Sequence, residues 1–272
     1  MQVSAVNKSV FTLGRPPPVH DVPVADLSLG DLGRRSPTGR HEDVLDRLGP
    51  DLLWGGLSAI DDLRLELVES RYGVSRPAAR EVVRVLEAMG VVSSRRRVGI
   101  TVRPRAEWNV LDPRLIRWRL AGPERAAQLR SLSQLRTGVE PIAASLAAQH
   151  ATPEQCGELT GAVIGMSVTG QTGDLEAYLA ADIRFHTALL EASGNELFAS
   201  LTDVVAEVLA GRTHHHLMPS RPEPAAIRLH GDVAEAVAAG DGSRAEAAMR
   251  AILAEALEAM EQAYAPEAVG GG

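Results

Sequence analysis

The feature that most constrains this chain is an arginine at every fourth position in a segment with helical hydrophobic spacing. Arg76, Arg80 and Arg84 share one face of the helix that Ser75 would cap, and apolar residues occupy the other faces. Three like charges on one stripe repel each other. The stripe is therefore typical of a helix that meets an anionic partner. The alternative interpretation is a solvated basic face without a partner.

Two short helices and a hairpin are predicted around this segment. The hydrophobic spacing predicts one helix from about residue 41 and a second over 63–71. Gly73 breaks the pattern, and Gly90 predicts the end of the third helix near Met89. The following VVSSRRRVGITV predicts a β-hairpin with Gly99 near its turn. This order predicts a winged helix-turn-helix. In such a domain the third helix, which is the recognition helix, enters the major groove of DNA.

Charge divides the chain into two parts. Residues 70–105 carry nine Arg against two Glu, and residues 106–272 carry 12 Arg against 22 acidic residues. This asymmetry predicts a nucleic-acid-binding part joined to a part with another task. The single cysteine, Cys156, excludes an internal disulfide. With no leader and no long apolar run, the sequence predicts a cytoplasmic protein.

Helical patterns fill the chain after residue 105. In TPEQCGEL, Thr152 predicts an N-cap, Pro153 the first helical position and Gln155 the partner in a capping box. The predicted fold is mainly α: a winged helix-turn-helix of three helices and a small β-hairpin, followed by an antiparallel bundle of six or seven helices. The predicted parts are a flexible extension over 1–37, the DNA-binding domain over 38–104, a linker with a helix over 105–121, an effector-binding and dimerisation domain over 122–264, and a flexible tail over 265–272.

YGVSRPAAREVVRVLEAMGVVSSRRRVGITVRP resembles the winged-helix domain of the GntR family of bacterial transcription regulators. The resemblance implies that the start of the third helix and the wing face the operator, with Arg76 and Arg80 contacting bases. Where the family has Leu-Pro-Ser-Glu this chain has DLRL, and Arg64 is expected to substitute. Together with the stripe and the hairpin, the predicted DNA-binding residues are Arg64, Ser75, Arg76, Pro77, Ala78, Arg80, Arg84, Arg95, Arg96, Arg97 and Gly99.

The segments AEWNVLDPRLIRWRL, LRTGVEPIAASLAA and DIRFHTALLEASGN are similar to the linker and ligand-binding domain of the FadR subgroup. Some members of that subgroup respond to sugar acids such as galactonate or gluconate. The resemblance implies a repressor that is not an enzyme. It also implies a homodimer on a pseudo-palindromic operator, with a small organic acid as effector.

Asp182 and His186 are four residues apart, so they share a helix face and could bind one metal ion. A structural pair would have the same spacing. The resemblance implies that two later histidines join them around a divalent metal, zinc or similar. His230 matches the first, whereas Ile252 stands at the second and cannot ligate. The prediction is a metal site of Asp182, His186 and His230 with open positions, and the alternative is a site that has lost the metal.

Arg136 precedes Glu140 by four residues and matches an Arg-x-x-x-Glu phrase of the family. It is expected to meet the effector carboxylate, and the alternative is a helix-surface ion pair. The predicted effector-binding residues are Arg136, Asp182, His186, His230 and Asn195, the last with helix capping as its alternative. The run of His214, His215 and His216 is interpreted as a surface or interface run, and the alternative is that one or two of them face inward. His20, His41 and His150 receive no role.

Two other functions are weighed. One is a metal-dependent, hydrolase-like enzyme, since three metal ligands with an open position resemble a hydrolytic zinc site. The sequence has no HExxH, nucleophile elbow or phosphate-cradling loop, and an enzyme would leave the arginine stripe unexplained. The other is a constitutive DNA-binding protein whose helical domain only dimerises.

Overall fold

The computed structural model describes residues 37–54, 63–95, 98–215, 217 and 221–264. The predicted flexible extension and the tail over 265–272 lie outside these residues, apart from residue 37. The winged helix-turn-helix comprises α1 Pro37–Leu53, α2 Leu65–Tyr72, α3 Arg76–Ala88, β1 Val92–Arg95 and β2 Gly99–Val102. A 3₁₀ turn at Arg105–Glu107 leads to α4 Pro113–Ala121. The bundle comprises α5 Arg125–His150, α6 Pro153–Thr172, α7 Leu175–Ala192, α8 Glu196–Ala199, α9 Thr202–His214, α10 Pro224–Ala238 and α11 Gly242–Tyr264.

The predicted fold class is confirmed, because three helices and a hairpin precede a helical bundle. In the described part of the bundle, six long helices and the single turn α8 agree with the expected six or seven. The capping box of Thr152 and Gln155 is formed at the start of α6. No described helix is long and apolar enough to cross a membrane.

Local signals set the helix-turn-helix. Gly73 ends α2 with φ 65°, a left-handed conformation that glycine adopts without strain. The Ser75 side chain then accepts a hydrogen bond from the Ala78 backbone N–H, at 3.5 Å, and caps α3. The opposite face of α3 buries Ala79 and Val82, among others, in a core shared with α1 and β1. This packing leaves the arginine face exposed.

The prediction that the second helix begins at Leu63 was wrong. Leu63 is extended and forms a β-bridge with Ile100, whose backbone N–H donates to the Leu63 carbonyl at 2.7 Å. This pairing occupies the backbone of Leu63 at the edge of the hairpin, so α2 begins two residues later. The first helix also begins earlier than predicted, at Pro37 rather than near His41.

The linker helix α4 contributes to two cores. Leu115 and Trp118 are buried in the core of the winged helix-turn-helix. Ile116 and Leu120 are buried in a second core with residues of α5, α9 and α11. Trp118 Nε1 also donates a hydrogen bond to Asp46 Oδ1 of α1, at 3.0 Å. The helix therefore joins the DNA-binding part directly to the bundle.

Gly49 allows α1 and α4 to approach closely. A Cβ at this position would lie 2.3 Å from Cζ3 of the Trp118 ring. The ring cannot retreat, because it is buried and hydrogen-bonded to Asp46. We expect Gly49→Ala to lower the free energy of unfolding by about 1–3 kcal/mol. This loss should appear in chemical denaturation although alanine is the better helix former by about 1 kcal/mol.

Gly157 is the matched control, since it lies on an exposed position of α6 and a Cβ there would meet nothing within 4 Å. Gly157→Ala should raise the free energy of unfolding by about 0.5–1 kcal/mol. Equal stabilisation by the two substitutions would contradict the packing of α1 on α4.

Candidate DNA interface and central cavity

The exposed face of α3 forms one wall of a basic groove, which is lined by six of the predicted DNA-binding residues. They are Arg64, Arg76, Arg80, Arg84, Arg95 and Gly99. The groove has a volume of about 580 Å³ and lies between the start of α2, α3 and the hairpin. Arginine side chains in this arrangement match phosphates and guanine edges, which accept bidentate hydrogen bonds.

The three arginines of the stripe differ in their partners. Arg76 Nη2 lies 2.9 Å from Glu66 Oε1, and Arg84 Nη1 lies 3.2 Å from Glu81 Oε2. Arg80 has no ion pair with any described residue, and it is exposed. Arg80 can therefore bind an anion without first breaking an ion pair, unlike Arg76 and Arg84.

Ser75, Pro77 and Ala78 lie at the N-terminus of α3, where the backbone N–H groups and the helix dipole favour an anion. Ser75 and Pro77 are exposed and Ala78 is half-buried. The predicted wing residues Arg96 and Arg97 lie outside the described residues. The roles of all these residues on DNA stay predictions.

A central cavity of about 90 Å³ lies within the bundle. We define it by Arg136 of α5, Asp182 and His186 of α7, Arg212 of α9, His230 of α10 and Ile252 of α11. The three predicted metal ligands converge there. His186 Nε2 lies 3.4 Å from Asp182 Oδ1, and His230 Nε2 lies 3.3 Å from the same oxygen. Asp182 and His186 lie on one face of α7, as their spacing predicted, and all three side chains are buried.

The hydrogen bonding of His230 leaves two buried acceptor atoms facing each other in this cavity. His230 Nδ1 donates to the carbonyl of Ala226 at 2.7 Å, so in the neutral ring Nε2 carries a lone pair. That lone pair faces Asp182 Oδ1, another acceptor. Neither atom has a hydrogen-bond partner among the described residues, despite the short distance between them. Two facing acceptors repel, whereas a metal ion between them would bind both, and ligating histidines commonly donate their other N–H to a carbonyl.

The pKa shifts point in the same direction. Burial alone would raise the pKa of Asp182, but the neighbouring imidazoles of His186 and His230 hold it well below its usual value. Burial would lower the pKa of His186, but the carboxylates of Glu140 and Asp182 outweigh this effect and the repulsion of Arg136, and raise it. The site therefore favours positive charge beside Asp182.

Ile252 lines the cavity with its side chain buried. It offers no lone pair, so the protein supplies three ligands at most from this group. Asp182, His186 and His230 each place one ligand atom within 4.8 Å of the others. This donor set fits an ion such as zinc with open coordination positions.

Arg136 and Glu140 form a buried ion pair, so the alternative of a surface pair was wrong. The two residues are 3% and 0% exposed. Arg136 Nε donates to Glu140 Oε1 at 2.5 Å, and Nη2 donates to Oε2 at 3.1 Å. His186 Nδ1 lies 2.9 Å from Glu140 Oε2. Burial opposes ionisation of Glu140, but Arg136 and His186 lower its pKa to about 2.

The structure does not place Asn195 in the central cavity, which corrects its assignment to the effector site. Its side chain accepts a hydrogen bond from the Leu197 backbone N–H at 2.9 Å and caps α8. That hydrogen bond fixes the amide at a helix start, as the alternative interpretation stated. Among the histidines, His214 is exposed beside Glu176 at 3.2 Å, His150 Nδ1 lies 2.9 Å from the carbonyl of Ser193, and His216 lies outside the described residues.

Arg212 is a cavity residue that the sequence reasoning missed. It lies near the end of α9, 30 positions after Asp182, with no local motif that would associate the two. Its Nε is buried without a hydrogen-bond partner among the described residues. One feature of the sequence could have pointed to Arg212: it is the one charged residue in the stretch VLAGRT, which otherwise consists of apolar and small residues.

Comparisons with known proteins agree with this geometry. The FCD domain model matches residues 131–255. The chain is similar to the uncharacterized HTH-type transcriptional regulator YieP of Escherichia coli K12, with 30% identity over 191 residues that cover 70% of this chain and 80% of that protein. It is also similar to the galactonate operon transcriptional repressor of the same organism, with 29% identity over 198 residues that cover 72% and 85% of the two chains.

Among solved structures, E. coli McbR/YncC shares the fold, with a TM-score of 0.51 and 16% identity, over 84% of this chain and 97% of that one. The matched relatives are transcriptional regulators and not enzymes, so the hydrolase-like alternative is set aside. The chain belongs to the GntR family of DNA-binding transcriptional regulators, and its FCD domain places it in the FadR-like subgroup.

Proposed function

We propose that this regulator is a repressor whose operator binding is controlled by a small organic acid in the central cavity. The observation that carries the proposal is the pair of facing acceptors, Asp182 Oδ1 and His230 Nε2, both buried within the bundle. Such an arrangement costs folding free energy unless a ligand uses it. The basic groove supplies the second half of the function, binding to duplex DNA.

The chemistry of the cavity favours an acid that also has a hydroxyl group. A divalent metal held by Asp182, His186 and His230 would supply open positions that a carboxylate and an adjacent hydroxyl can chelate. One relative is named as the repressor of a galactonate operon. We therefore propose sugar acids such as galactonate or gluconate as the first effectors to test. Because Asp182 and His186 are buried, bulk water would compete little with the acid for the open coordination positions of the metal.

Helix α9 connects the cavity to the linker helix. Arg212 faces the cavity, and the preceding Gly211 contacts α4 so closely that a Cβ there would lie 2.6 Å from Leu120 Cδ1. The carboxylate of Glu207 also binds the guanidinium of Arg117 in α4. An effector that binds one position of α9 better than another would therefore bias α4, whose Trp118 lies in the DNA-binding core.

A homodimer on a pseudo-palindromic operator completes the proposal. A single winged helix contacts too few base pairs to select one site in a genome, and two-fold symmetry doubles the contacts. In this arrangement the effector changes the spacing of the two α3 helices. Analytical ultracentrifugation should give twice the chain mass of 28.9 kDa.

A gel-shift titration tests the function. The full chain, loaded with Zn²⁺, should retard a duplex from its own promoter, and D-galactonate or D-gluconate should release it. Retardation that persists with every organic acid would favour the constitutive DNA-binding protein. Failure to bind any promoter duplex at low ionic strength would contradict the proposal as a whole.

The fourth ligand position gives a direct test of the metal site. Because Ile252 lies in the cavity wall, Ile252→His should add an imidazole to the three ligands and raise zinc affinity by at least about tenfold. His230→Ala should lower it by a similar factor. Zinc competition with a chromogenic chelator measures both, and His214→Ala, outside the cavity, is the control. Unchanged affinity in Ile252→His and His230→Ala would refute a metal at this point.

A further inference from the structure

We infer that Arg212 binds the anionic group of the effector, and that Arg136 does not. This inference rests on the proposed function and adds the residue that selects acids over neutral molecules. It replaces the expectation that Arg136 meets the effector carboxylate. Both arginines line the central cavity, so the distinction depends on which of them is already occupied.

Arg136 is occupied. Its Nε and Nη2 atoms donate to the two carboxylate oxygens of Glu140, and Nη2 also lies 3.3 Å from His186 Nε2. The Glu140 carboxylate has no solvent exposure and neutralises the guanidinium charge. An incoming carboxylate would have to displace this bidentate pair from a buried position. Arg136 is better explained as the group that keeps Glu140 ionised beside His186.

Arg212 is available. Its Nε has no hydrogen-bond partner among the described residues, although the atom is buried. Burial lowers the pKa of the Arg212 guanidinium and the charge of Arg136 adds to the effect, while Asp182, Tyr178 and Glu255 only partly oppose it. The side chain as a whole is only partly buried, but a buried guanidinium N–H without an acceptor is costly for the folded protein. A carboxylate placed in the cavity would remove that cost, because its two oxygens can accept parallel hydrogen bonds from the guanidinium.

The charges around the cavity also favour an anion. Arg136 balances Glu140, and Arg212 balances Asp182 at a distance. A divalent metal at Asp182, His186 and His230 would therefore leave the cavity with excess positive charge. A hydroxy acid meets both sides, since its carboxylate can bind Arg212 while its oxygen atoms complete the metal shell. A neutral polyol of the same length lacks the group that Arg212 requires.

The test compares three variants of the full chain by thermal shift, with D-galactonate, glycolate and neutral galactitol as probes and Zn²⁺ present. We expect both acids, and not galactitol, to stabilise the wild-type protein. Arg212→Met should weaken acid binding about tenfold to hundredfold, and the affinity of Arg212→Lys should lie between those of the wild type and Arg212→Met. Arg119→Met is the matched control, because Arg119 Nε is also buried without a partner but lies in α4, outside the cavity.

A second readout needs no ligand. If Arg212 is an unpaired binding group, ligand-free Arg212→Met should melt at the same temperature as the wild type or higher. A lower melting temperature would assign Arg212 a structural role and overturn the inference. Wild-type affinity for the acids in Arg212→Met would overturn it as well. A wild-type protein that binds promoter DNA and none of the acids would instead refute the effector class, and this inference with it.

Discussion

Replacing Arg80 by alanine is expected to weaken operator binding by at least about 30-fold, because one bidentate arginine contact to a base is worth about 1–3 kcal/mol and the proposed dimer would lose two of them. Arg80 lies in the middle of the α3 stripe, exposed and without an ion pair among the described residues. It therefore has no intramolecular interaction to lose. The substitution should leave the free energy of unfolding unchanged.

Fluorescence anisotropy with a labelled operator at two salt concentrations measures this effect. Arg228→Ala, an exposed arginine on α10, is the control and should bind DNA as the wild type does. Arg84→Ala should have a smaller effect than Arg80→Ala, since Arg84 already pairs with Glu81. Operator affinity in Arg80→Ala equal to that of the wild type would show that α3 does not present this face to DNA.

Glu140→Ala is expected to lower the free energy of unfolding by about 3–5 kcal/mol, because it leaves Arg136 as an uncompensated charge in the core. Both partners are almost fully buried, and His186 loses one of its two carboxylate neighbours at the same time. The double variant Arg136→Met/Glu140→Leu removes both charges and should recover most of this loss. Urea denaturation followed by circular dichroism measures all of these changes.

Glu158 provides the comparison with an exposed pair. Its carboxylate lies 3.1 Å from Arg184, with side chains 64% and 57% exposed. Glu158→Ala should cost less than about 1 kcal/mol, since solvent screens the pair. If Glu140→Ala were as mild as Glu158→Ala, or if the double variant were no better than the single one, the buried pair would not be the structural element described.

The parts of the fold that could be predicted from the sequence are those with local causes. Gly73, Ser75 and Gly90 act within a few residues of their own positions, through a left-handed backbone or a side-chain cap. Gly73 ends α2, and Ser75 and Gly90 lie at the two ends of α3, as predicted. Asp182 and His186 are four residues apart on one helix, so their convergence required no knowledge of the tertiary structure.

What could not be predicted depends on contacts between distant segments. Leu63 has the apolar character of a helix start, and only the approach of Ile100 makes it extended. Arg136 and Glu140 have the same spacing whether they face water or the core, so the surface interpretation could be excluded only by their burial. Arg212 enters the cavity because α9 packs on α7, and no spacing along the chain records that contact.

The two-sided packing of α4 also limits how such regulators can be recombined. If the winged helix-turn-helix were transferred to another ligand-binding domain, it would need the whole of Pro113–Ala121. The reason is that Trp118 belongs to the core of the winged helix-turn-helix. The same nine residues would then present Ile116 and Leu120 to a foreign bundle. A functional chimera should therefore require substitutions in the surface of the recipient domain that packs on α4. A chimera joined just before or just after α4 without these substitutions should be insoluble.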